Sequence, residues 1–471
     1  MGNCAIVGIN WGDEGKGRMV DLLTQDYDVV VRYQGGGNAG HTVVNELGKF
    51  ALHLLPSGIF RKGVVNILGN GVALDCENLW IEMQDVMSQG VPLTPENLMI
   101  SDRASLLLPW HRDLDSLEEA RLADKKYGST KQGIAPFYSD KYQKKTVMAG
   151  ELLYPEYLKA HLADILEWKN LTLDRVYGAK TYTLDEIMAW IDDFGAKIRP
   201  YVRDTGAFLR QAQAEGKSIL FEAQLGALRD LDYGIYPYTT SSNTIAAFAP
   251  VGSGLPTARI DEVVGVVKAY SSCVGEGPFP CEWFGPEAEK LREAGAEYGA
   301  KTGRPRRVGP IDIVATRYGV QMQSATNIAL TKLDVLSYMD KIPVCTRYEI
   351  NGVETDEFPF PPCRILPSPS SSIWTAGCAT SPRSPSGTSC PPPPSATWSM
   401  WSRPSAATSA TCLSAPSVTA SFCANHRFDE RTVPLWQKTA MNPLCPPATP
   451  RHTCCSCSPS RSASTSGVSC G

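Results

Sequence analysis

The chain has 471 residues, 43% of them apolar, which is enough to bury a sizeable core and excludes wholesale disorder. Its length fits about three average domains or one large α/β enzyme with insertions. No apolar run reaches the roughly 18 residues of a membrane span, and the N-terminus lacks a signal-peptide pattern, so we expect no membrane partner. The net charge of -4 gives no electrostatic basis for a nucleic-acid partner.

The composition changes abruptly near Pro361. Five cysteines precede this point and ten follow from Cys363 onward. Residues 365–471 carry seven basic and two acidic side chains, a net charge of +5, against -9 for the residues before them. This Pro- and Ser-rich tail has no sustained period and by itself is typical of a disordered, low-complexity segment. We therefore predict a catalytic domain over 1–362 and a separate tail over 363–471.

Short apolar runs alternate with amphipathic stretches through the first part of the chain. The runs predict strands at 4–9, 28–31, 64–68, 218–221, 262–269 and 328–333. The amphipathic stretches predict helices at 17–23, 114–126 and 185–215. Alternating strands and helices indicate an α/β fold with a mainly parallel central sheet flanked by helices. We expect a single large domain, similar to a P-loop NTPase with insertions.

A glycine loop between the first strand and the first helix is a candidate phosphate site. Its sequence, Gly12-Asp13-Glu14-Gly15-Lys16-Gly17, offers backbone N–H groups, a helix N-terminus and the lysine charge to an anion. It is not a Walker A motif, because the glycine spacing differs and no Ser or Thr follows the lysine. Two carboxylates here would repel phosphate unless one binds Mg²⁺ or takes up a proton. The alternative is a tight strand–helix turn with solvated charges.

Three further motifs point to a nucleotide and an anionic co-substrate. His41, in a loop after three glycines, can donate to a phosphate or a developing oxyanion near neutral pH. Thr331-Lys332-Leu333-Asp334 follows an apolar strand, where an Asp can accept from guanine and a Lys stem can stack on its ring. The basic loop 301–307 offers three guanidinium groups to carboxylates or phosphates. The respective alternatives are a structural histidine, a chance tetrapeptide and a solvated basic turn.

The combination of these motifs resembles the adenylosuccinate synthetase family. That family opens with Trp-Gly-Asp-Glu-Gly-Lys-Gly after a strand, here 11–17, and continues with Gly-Gly-x-Asn-Ala-Gly-His-Thr, here 36–42. Other segments match in the same order, at 54–59, 236–244, 277–280 and 331–336. The resemblance covers roughly residues 3–360. It implies a ligase that joins IMP and L-aspartate with hydrolysis of GTP to GDP, the first committed step of AMP biosynthesis from IMP.

The resemblance also implies roles for individual residues. Asp13 would take the N1 proton of IMP so that its 6-oxygen attacks the γ-phosphate of GTP, and His41 would donate to that phosphate. Mg²⁺, the expected cofactor, would be held by Asp13 and the carbonyl of Gly40. The residues expected to bind GTP are Gly12, Asp13, Glu14, Gly15, Lys16, Gly17, Arg18, Gly40, His41, Thr42, Arg306, Lys332, Leu333 and Asp334. Those expected to bind IMP are Asn38, Ala39, Thr130, Lys144, Gln224, Thr240 and Arg304. Those expected to bind L-aspartate are Lys301, Thr302, Gly303, Arg304 and Arg306. A cytoplasmic homodimer is implied as well.

The chain departs from the family pattern at several positions. Lys144 stands where the family usually has an arginine that reaches the IMP phosphate of the partner subunit, and lysine loses the bidentate fork. The usual Glu-Gly-Ala-Gln-Gly is here Glu222-Ala223-Gln224-Leu225-Gly226, with the glutamine one place early. Cys273 replaces a common arginine and Pro310 a common tryptophan. These changes indicate a divergent branch.

The tail is explained by DNA translated in the wrong frame. If each triplet is read from the last base of the preceding codon, permitted codons for residues 398–423 give the family's Tyr-Val-Ser-Val-Gly-Pro, a turn that packs on guanine. The same shift over residues 366–380 gives its Leu-Asp-Gly-Trp. We therefore place a frameshift between about 360 and 365, with read-through after about residue 423.

Two alternatives to the ligase stay open at this point. The first is an inactive, truncated product that lacks the final strands and the guanine-packing turn and so exposes apolar surface. The second is a regulatory protein whose partner binding depends on a guanine nucleotide. The regulatory protein leaves His41 and the motifs that resemble IMP contacts unexplained.

Overall fold

A computed structural model describes residues 2–45, 47–299, 303–350 and 352–359, together with the backbone of 368–375 and 409–413. The strands are β1 Cys4–Gly8, β2 Val29–Arg32, β3 His41–Asn45, β4 Gly48–Leu52, β5 Val65–Leu68, β6 Ala73–Leu74, β7 Leu98–Ser101, β8 Ser105–Leu106, β9 Val202–Arg203, β10 Ile219–Gly226, β11 Glu262–Lys268, β12 Ser271–Cys273, β13 Arg307–Gly309, β14 Ile311–Asp312, β15 Asn327–Thr331, β16 Lys341–Ile350, β17 Val353–Thr355, β18 Ser368–Thr375 and β19 Ser409–Leu413. The helices are α1 Lys16–Thr24, α2 Cys76–Ser88, α3 Pro109–Leu122, α4 Ile134–Gln143, α5 Pro155–Tyr177, α6 Leu184–Trp190, α7 Ala196–Ile198, α8 Thr205–Ala214, α9 Ala249–Ser253, α10 Pro286–Gly295 and α11 Ile313–Gln323.

The centre of the fold is a nine-stranded parallel sheet with the order β19-β15-β11-β1-β10-β2-β5-β7-β9. Successive residues of β1 pack into two different apolar clusters, Ala5 and Val7 on one face and Cys4 and Ile6 on the other. Helix α1 covers the second face, and α8 and α11 cover the first. A parallel sheet needs both faces covered, which is why its strands are continuous apolar runs. The predicted α/β class with a mainly parallel sheet is confirmed.

The predicted strands are all present, with changes at their ends. β10 continues to Gly226, five residues beyond the predicted end at Phe221. The predicted strand 328–333 ends earlier, at Thr331, because Lys332 adopts a left-handed conformation with φ 60° and a 3-10 turn begins at Leu333. These two strand ends carry predicted site residues, so their corrected bounds matter for the site.

The predicted helix over 185–215 is wrong as a single element. It is divided into α6, a π-helical turn, α7, the short strand β9 and α8. α7 ends at Ile198, and a 3-10 turn over Arg199–Tyr201 follows, in which Pro200 has no backbone N–H to donate. The predicted helix 114–126 starts earlier, at Pro109, and becomes a 3-10 turn after Leu122.

The parallel topology brings the carboxyl ends of the central strands to one edge. β1 ends at Gly8, β2 at Arg32, β10 at Gly226, β11 at Lys268 and β15 at Thr331. The loops that follow these strands therefore form one contiguous region, which is where open α/β sheets bind their ligands. No helix in the described part of the chain is long and apolar enough to cross a membrane.

Candidate active site

The predicted phosphate loop connects β1 to α1 at this edge. Gly12 has φ 107° and Gly15, the N-cap of α1, has φ 93°, conformations that side chains rarely adopt. A Cβ at Gly12 would lie 2.5 Å from the Cα of Leu225, so the loop also needs glycine to pass beneath β10. The loop and the N-terminus of α1 thus present backbone N–H groups at the carboxyl edge of the sheet. Gly17 and the exposed Arg18 follow within α1.

The second carboxylate of this loop is structural. Glu14 is buried, and its Oε1 accepts from the backbone N–H of Asn10 at 3.0 Å and of Gly12 at 2.8 Å. Its Oε2 lies 3.1 Å from Nζ of Lys16, which also donates to the carbonyl of Gly12. The Glu14 charge is therefore neutralised inside the loop and does not oppose an incoming phosphate. The alternative of a turn with solvated charges is excluded for these two residues.

Asp13 points instead into a cluster of cationic and hydroxyl groups. Its Oδ2 accepts from the hydroxyl of Ser272 and lies 3.2 Å from Nζ of Lys268 and 3.5 Å from Nη1 of Arg306. Lys268 also lies 2.9 Å from Oε1 of Glu297. The side chain of Asp13 is 15% exposed, so it combines a fixed orientation with partial access to solvent.

Glu297 contacts both cationic side chains of this cluster. It is fully buried and accepts from Lys268, from Nη1 of Arg306 at 2.6 Å, and from the Tyr270 hydroxyl. Burial raises the pKa of its carboxyl, but Lys268 and Arg306 outweigh burial and hold the pKa well below its usual range. Asp13 and Glu297 face Lys268 and Arg306, so two acids are balanced by two bases.

His41 is the first residue of β3 and is not in the loop that the sequence predicted. Its Nδ1 lies 2.7 Å from Oε1 of Glu222, a fully buried carboxylate on β10. Its buried Nε2 has no hydrogen-bond partner among the described residues. Burial lowers the pKa of His41 below its ordinary value, and the hydrogen bond to Glu222 opposes this shift only in part. Thr42, the next residue, is exposed.

Only some of the residues expected to bind IMP contact one another in the structure. Nε2 of Gln224, buried on β10, donates to Oδ1 of Asn38 at 2.9 Å, and its Oε1 accepts from Arg32. Ala39 follows Asn38 in the loop before β3, and its carbonyl lies 3.1 Å from Nδ1 of His53. Gln224, which stands one place early in its motif, therefore contacts the glycine loop that precedes His41.

The other expected IMP residues lie on separate loops. Thr240 has a buried hydroxyl without a hydrogen-bond partner in the described structure, and its N–H donates to the carbonyl of Arg229 at 2.9 Å. Thr130 lies exposed in the loop before α4, and Lys144 lies exposed at the end of that helix with φ 61°. No described contact links Thr130 or Lys144 to the Asp13 cluster.

The candidate guanine motif packs against the phosphate loop. The hydroxyl of Thr331 donates to the carbonyl of Glu14 at 2.7 Å. Nζ of Lys332 donates to the carbonyl of Gly295 at 2.7 Å, and burial lowers its pKa. Leu333 and the exposed Asp334 begin the 3-10 turn. Because Thr331 joins the two motifs, one nucleotide can contact both.

The basic loop is described only from Gly303 onward, so the predictions for Lys301 and Thr302 lie outside the described residues. Gly303 has φ 63° and donates to the carbonyl of Gly299 at 2.8 Å. Arg304 is 3.0 Å from Glu276, whereas Arg306 turns inward to Glu297. The solvated basic turn is therefore wrong for Arg306, which is held in the Asp13 cluster.

Sequence reasoning missed four buried polar residues of this region. All four contact predicted site residues: Lys268, Ser272 and Glu297 belong to none of the motifs singled out, and Glu222 only begins the motif of Gln224, with no role expected for it. Lys268 could have been found from the sequence, because it is a charged residue at the end of an apolar strand and the carboxyl ends of parallel strands line the site. Glu297 carried no comparable signal.

The divergent Cys273 is contacted by a guanidinium from the 3-10 turn after β10. Nη2 of Arg229 lies 2.9 Å from Sγ of Cys273 and 2.7 Å from the carbonyl of Val274. The guanidinium also lies over the ring of Trp11, 5.3 Å from its centroid. Arg229 thus ties the segment after β10 to that after β12, beside the loop that carries Thr240.

The fold and the site together define a nucleotide-dependent enzyme. They combine a parallel α/β sheet, a glycine loop before a helix N-terminus, a motif typical of guanine binding, the charge-balanced cluster around Asp13 and the buried His41–Glu222 pair. Comparison with known proteins narrows this class. The profile of the family described as adenylosuccinate synthetase matches residues 5–365. The chain belongs to the adenylosuccinate synthetase family, and it is a GTP-dependent ligase of purine biosynthesis that joins IMP and L-aspartate.

Individual relatives agree with this assignment. An adenylosuccinate synthetase of Clostridium acetobutylicum is 44% identical over 354 residues, which is 75% of this chain and 83% of that protein. One of Halothermothrix orenii is 46% identical over 359 residues, 76% and 83% of the two chains. A fully ligated adenylosuccinate synthetase structure from Plasmodium falciparum superposes with a TM-score of 0.74 at 33% identity, covering 80% of this chain and 88% of the other. The truncated product and the regulatory protein are not favoured.

Proposed function

We propose that this ligase uses Asp13 as the proton acceptor and His41 as the donor in the transfer of phosphate from GTP to IMP. In the first step, Asp13 takes the N1 proton of IMP, the 6-oxygen bonds to the γ-phosphorus, and GDP leaves. In the second step, the amine of L-aspartate bonds to carbon 6 and phosphate leaves. Phosphoryl transfer depends on position and charge stabilisation, which this site can supply.

One observation carries the assignment of these residues to substrates. Nε2 of His41, Oγ1 of Thr240 and Nε of Arg306 are buried and have no hydrogen-bond partner among the described residues. A buried polar atom without a partner costs about 1–3 kcal/mol, so such atoms are rare unless a ligand completes them. All three lie on residues expected to contact the substrates. Other such atoms lie elsewhere, on Thr205 and Tyr338 for example, so the support comes from the placement of these three on segments expected to bind the substrates.

The proposed order of substrates along the site follows from these positions. The phosphates of GTP lie on Gly12–Gly17, with Gly40 and Thr42 beside them, and its guanine lies at Lys332–Asp334, with Leu333 between. IMP lies between Asn38, Ala39, Gln224, Thr130 and Thr240. L-aspartate lies at the loop 301–306, where Arg304 serves both IMP and aspartate and Arg306 serves aspartate and the nucleotide.

The residues proposed to hold Mg²⁺ fit that ion. Mg²⁺ is usually bound by one or two protein oxygens together with substrate phosphates. Asp13 offers a carboxylate whose described contacts all go to Oδ2, and Gly40 is an exposed residue directly before His41. The ion would neutralise charge that develops on the transferred phosphate.

A substitution at Asp13 tests the proposed mechanism. Asp13→Ala should abolish adenylosuccinate formation, measured with IMP, GTP, Mg²⁺ and L-aspartate, while binding of GTP is largely kept. Asp26→Ala, which removes an exposed carboxylate near α1, serves as the control and should keep wild-type turnover. Unchanged turnover in Asp13→Ala would refute Asp13 as the base.

We further propose a homodimer in which Lys144 reaches the IMP phosphate of the partner subunit. A run of exposed apolar side chains surrounds Lys144 in sequence, including Tyr142, Met148, Tyr154 and Tyr157. Exposed apolar surface of this kind marks contact sites. Sedimentation should show a dimer. The double variant Tyr154→Glu with Tyr157→Glu should shift the protein toward monomer with loss of activity. A monomer with full activity would contradict the proposal.

A cytoplasmic location accords with the five described cysteines, all of which are free and buried.

The frameshift and the division into 1–362 and 363–471 stay proposals, and strand pairing within the tail bears on the frameshift. Within 366–380 and 398–423, the segments where the shifted frame restores family motifs, two stretches pair with the sheet. β18 lies antiparallel to β16, and β19 lies parallel to β15 at the edge of the central sheet. The family has further sheet after residue 360. Sequencing the gene across the codons of 360–365 tests the proposal, and an in-frame read there would refute it.

A further inference from the structure

We propose that Glu222 is a positioning residue that fixes the ring of His41 so that only Nε2 faces the nucleotide. This inference rests on the proposed role of His41 as the donor to the transferred phosphate. Glu222 is not among the residues expected to bind the substrates, and in the described structure the one of those residues that it contacts is His41. Its effect on the reaction would therefore pass through the histidine ring.

The carboxylate of Glu222 is held by a complete set of short contacts. Oε1 lies 2.7 Å from Nδ1 of His41 and accepts from the Ser57 hydroxyl at 2.7 Å, and Oε2 accepts from the Ser57 N–H at 2.8 Å. Glu222 has no exposed surface. Its pKa is raised by burial but lowered further by His41, Arg32 and Ser57, which favour the carboxylate. A fixed carboxylate of this kind accepts a hydrogen bond from Nδ1–H. It thereby leaves Nε2 as the ring nitrogen that is available to the nucleotide.

The ring is confined from its other side by the phosphate loop helix. A Cβ at Gly17 would lie 2.7 Å from Cβ of His41 and 3.2 Å from its Cγ, so α1 packs directly on the histidine. The same Cβ would lie 3.3 Å from the Ser57 hydroxyl, which places Glu222, Ser57 and His41 in one layer beneath α1. Nε2, the nitrogen that points away from Glu222, is the one left without a described partner.

The chemical consequence concerns the orientation of the ring. With Nδ1 held on Glu222, the ring is turned so that Nε2 faces the phosphate. Without Glu222, a neutral ring could place its proton on either nitrogen or turn over, and the donor would be lost in part of the molecules. In a buried catalytic pair the orienting carboxylate affects turnover much more than substrate binding.

Glu222→Gln tests this with Glu82→Gln as a matched control. Glu82 is another buried glutamate, and it accepts from the N–H groups of His53, Leu54 and Leu55 but does not contact His41. For Glu222→Gln we expect kcat to fall about 100-fold, with KM for GTP and for IMP changed by less than about threefold. Glu82→Gln should lower stability and keep kcat. Equal kcat in wild type and Glu222→Gln, or an equal loss of kcat in both variants, would overturn the inference.

A double substitution separates this inference from the proposed function. In a His41→Asn background, adding Glu222→Gln should lower kcat by less than about twofold, because the ring on which it acts is gone. An undiminished 100-fold loss in that background would overturn the positioning role. If His41→Asn alone keeps the wild-type kcat, the proposed role of His41 fails, and the inference falls with it; if His41→Asn is inactive and Glu222→Gln is active, only the inference fails.

A spectroscopic measurement on the unaltered protein covers the case in which Glu222→Gln does not fold. The chain has six histidines, so the ring nitrogens of His41 can be assigned in ¹⁵N spectra by comparison with His41→Asn. We expect Nδ1 of His41 to carry a proton hydrogen-bonded to a carboxylate. A neutral ring with its proton on Nε2 and an unprotonated Nδ1 would overturn the inference.

Discussion

Nζ of Lys268, at the end of β11, lies 3.2 Å from Oδ2 of Asp13 in the loop after β1. The two residues are 255 positions apart in sequence, but β11 pairs directly with β1, so their ends are neighbours at the carboxyl edge. The amine also lies 2.9 Å from Glu297, which holds Arg306. The proposed base, its lysine and an arginine expected to bind substrate thus share one buried network.

Lys268→Met should impair both turnover and folding. The substitution keeps most of the side-chain volume but removes the charge that faces Asp13, so we expect kcat to fall about 10- to 100-fold. It also leaves Glu297 with one cationic partner fewer, and we expect the free energy of unfolding to fall by about 3 kcal/mol. Steady-state kinetics and urea unfolding measure the two effects.

Lys169→Met is the matched control for Lys268→Met. Lys169 is equally buried and pairs with the buried Asp140, far from Asp13 in the contacts described. This variant should lose a similar amount of stability while the folded protein keeps its kcat. If both variants lose kcat to the same degree, Lys268 acts only through stability and has no particular role beside Asp13.

Glu297 should make stability depend on pH in the acid range. Burial raises its pKa, but Lys268 and Arg306 lower it below the ordinary value of 4.5 that applies to the unfolded chain. The carboxylate therefore contributes its stability fully above that value and loses it as the pH falls. The stability difference between wild type and Glu297→Gln should shrink when the pH is lowered from about 6 to about 3. Urea unfolding at several pH values measures this difference, and a constant difference would contradict the prediction.

Gly17→Ala should displace His41. Alanine usually stabilises a helix relative to glycine by up to about 1 kcal/mol, but here the new Cβ would lie 2.7 Å from Cβ of His41. We expect kcat to fall at least about tenfold because a small misplacement of a catalytic group is costly. Gly206, the second residue of α8 as Gly17 is of α1, is the control: its Cβ would meet the carbonyl of Gly254 at 3.1 Å, and kcat should be kept. Full activity in Gly17→Ala would show that the ring tolerates the shift.

Asp334→Asn should change nucleotide choice. A carboxylate accepts from both N–H groups of guanine, whereas an amide can donate to the additional carbonyl of xanthine. Loss of a hydrogen bond to a charged group costs about 1.5–3 kcal/mol, so KM for GTP should rise about 10- to 100-fold. Asp334 is exposed, so folding should be unaffected. Kinetics with GTP and with XTP measure the change; an unaltered preference for GTP would contradict a role for Asp334 in guanine recognition.

The sequence alone determined the fold class, the strands and most candidate residues. Apolar runs such as 4–9 and 262–269 predict buried parallel strands because such strands are covered on both faces and cannot alternate. The glycine loop at 12–17 and the motif at 331–334 were recognisable because local backbone conformation and hydrogen-bonding chemistry require particular residues at fixed spacing. The sequence also showed the abrupt change of composition near Pro361.

The tertiary structure decided what those residues contact. Glu14 looked like a second free carboxylate and proves to be neutralised by Lys16, because the loop folds its side chain inward. No motif of the sequence assigns a role to Lys268 or Glu222, yet they face Asp13 and His41, because strand order places β11 and β10 on either side of β1. Contacts of this kind join residues far apart in sequence, so no local pattern records them. Spacing specifies the groups of the site, but only the packing of the sheet selects their partners.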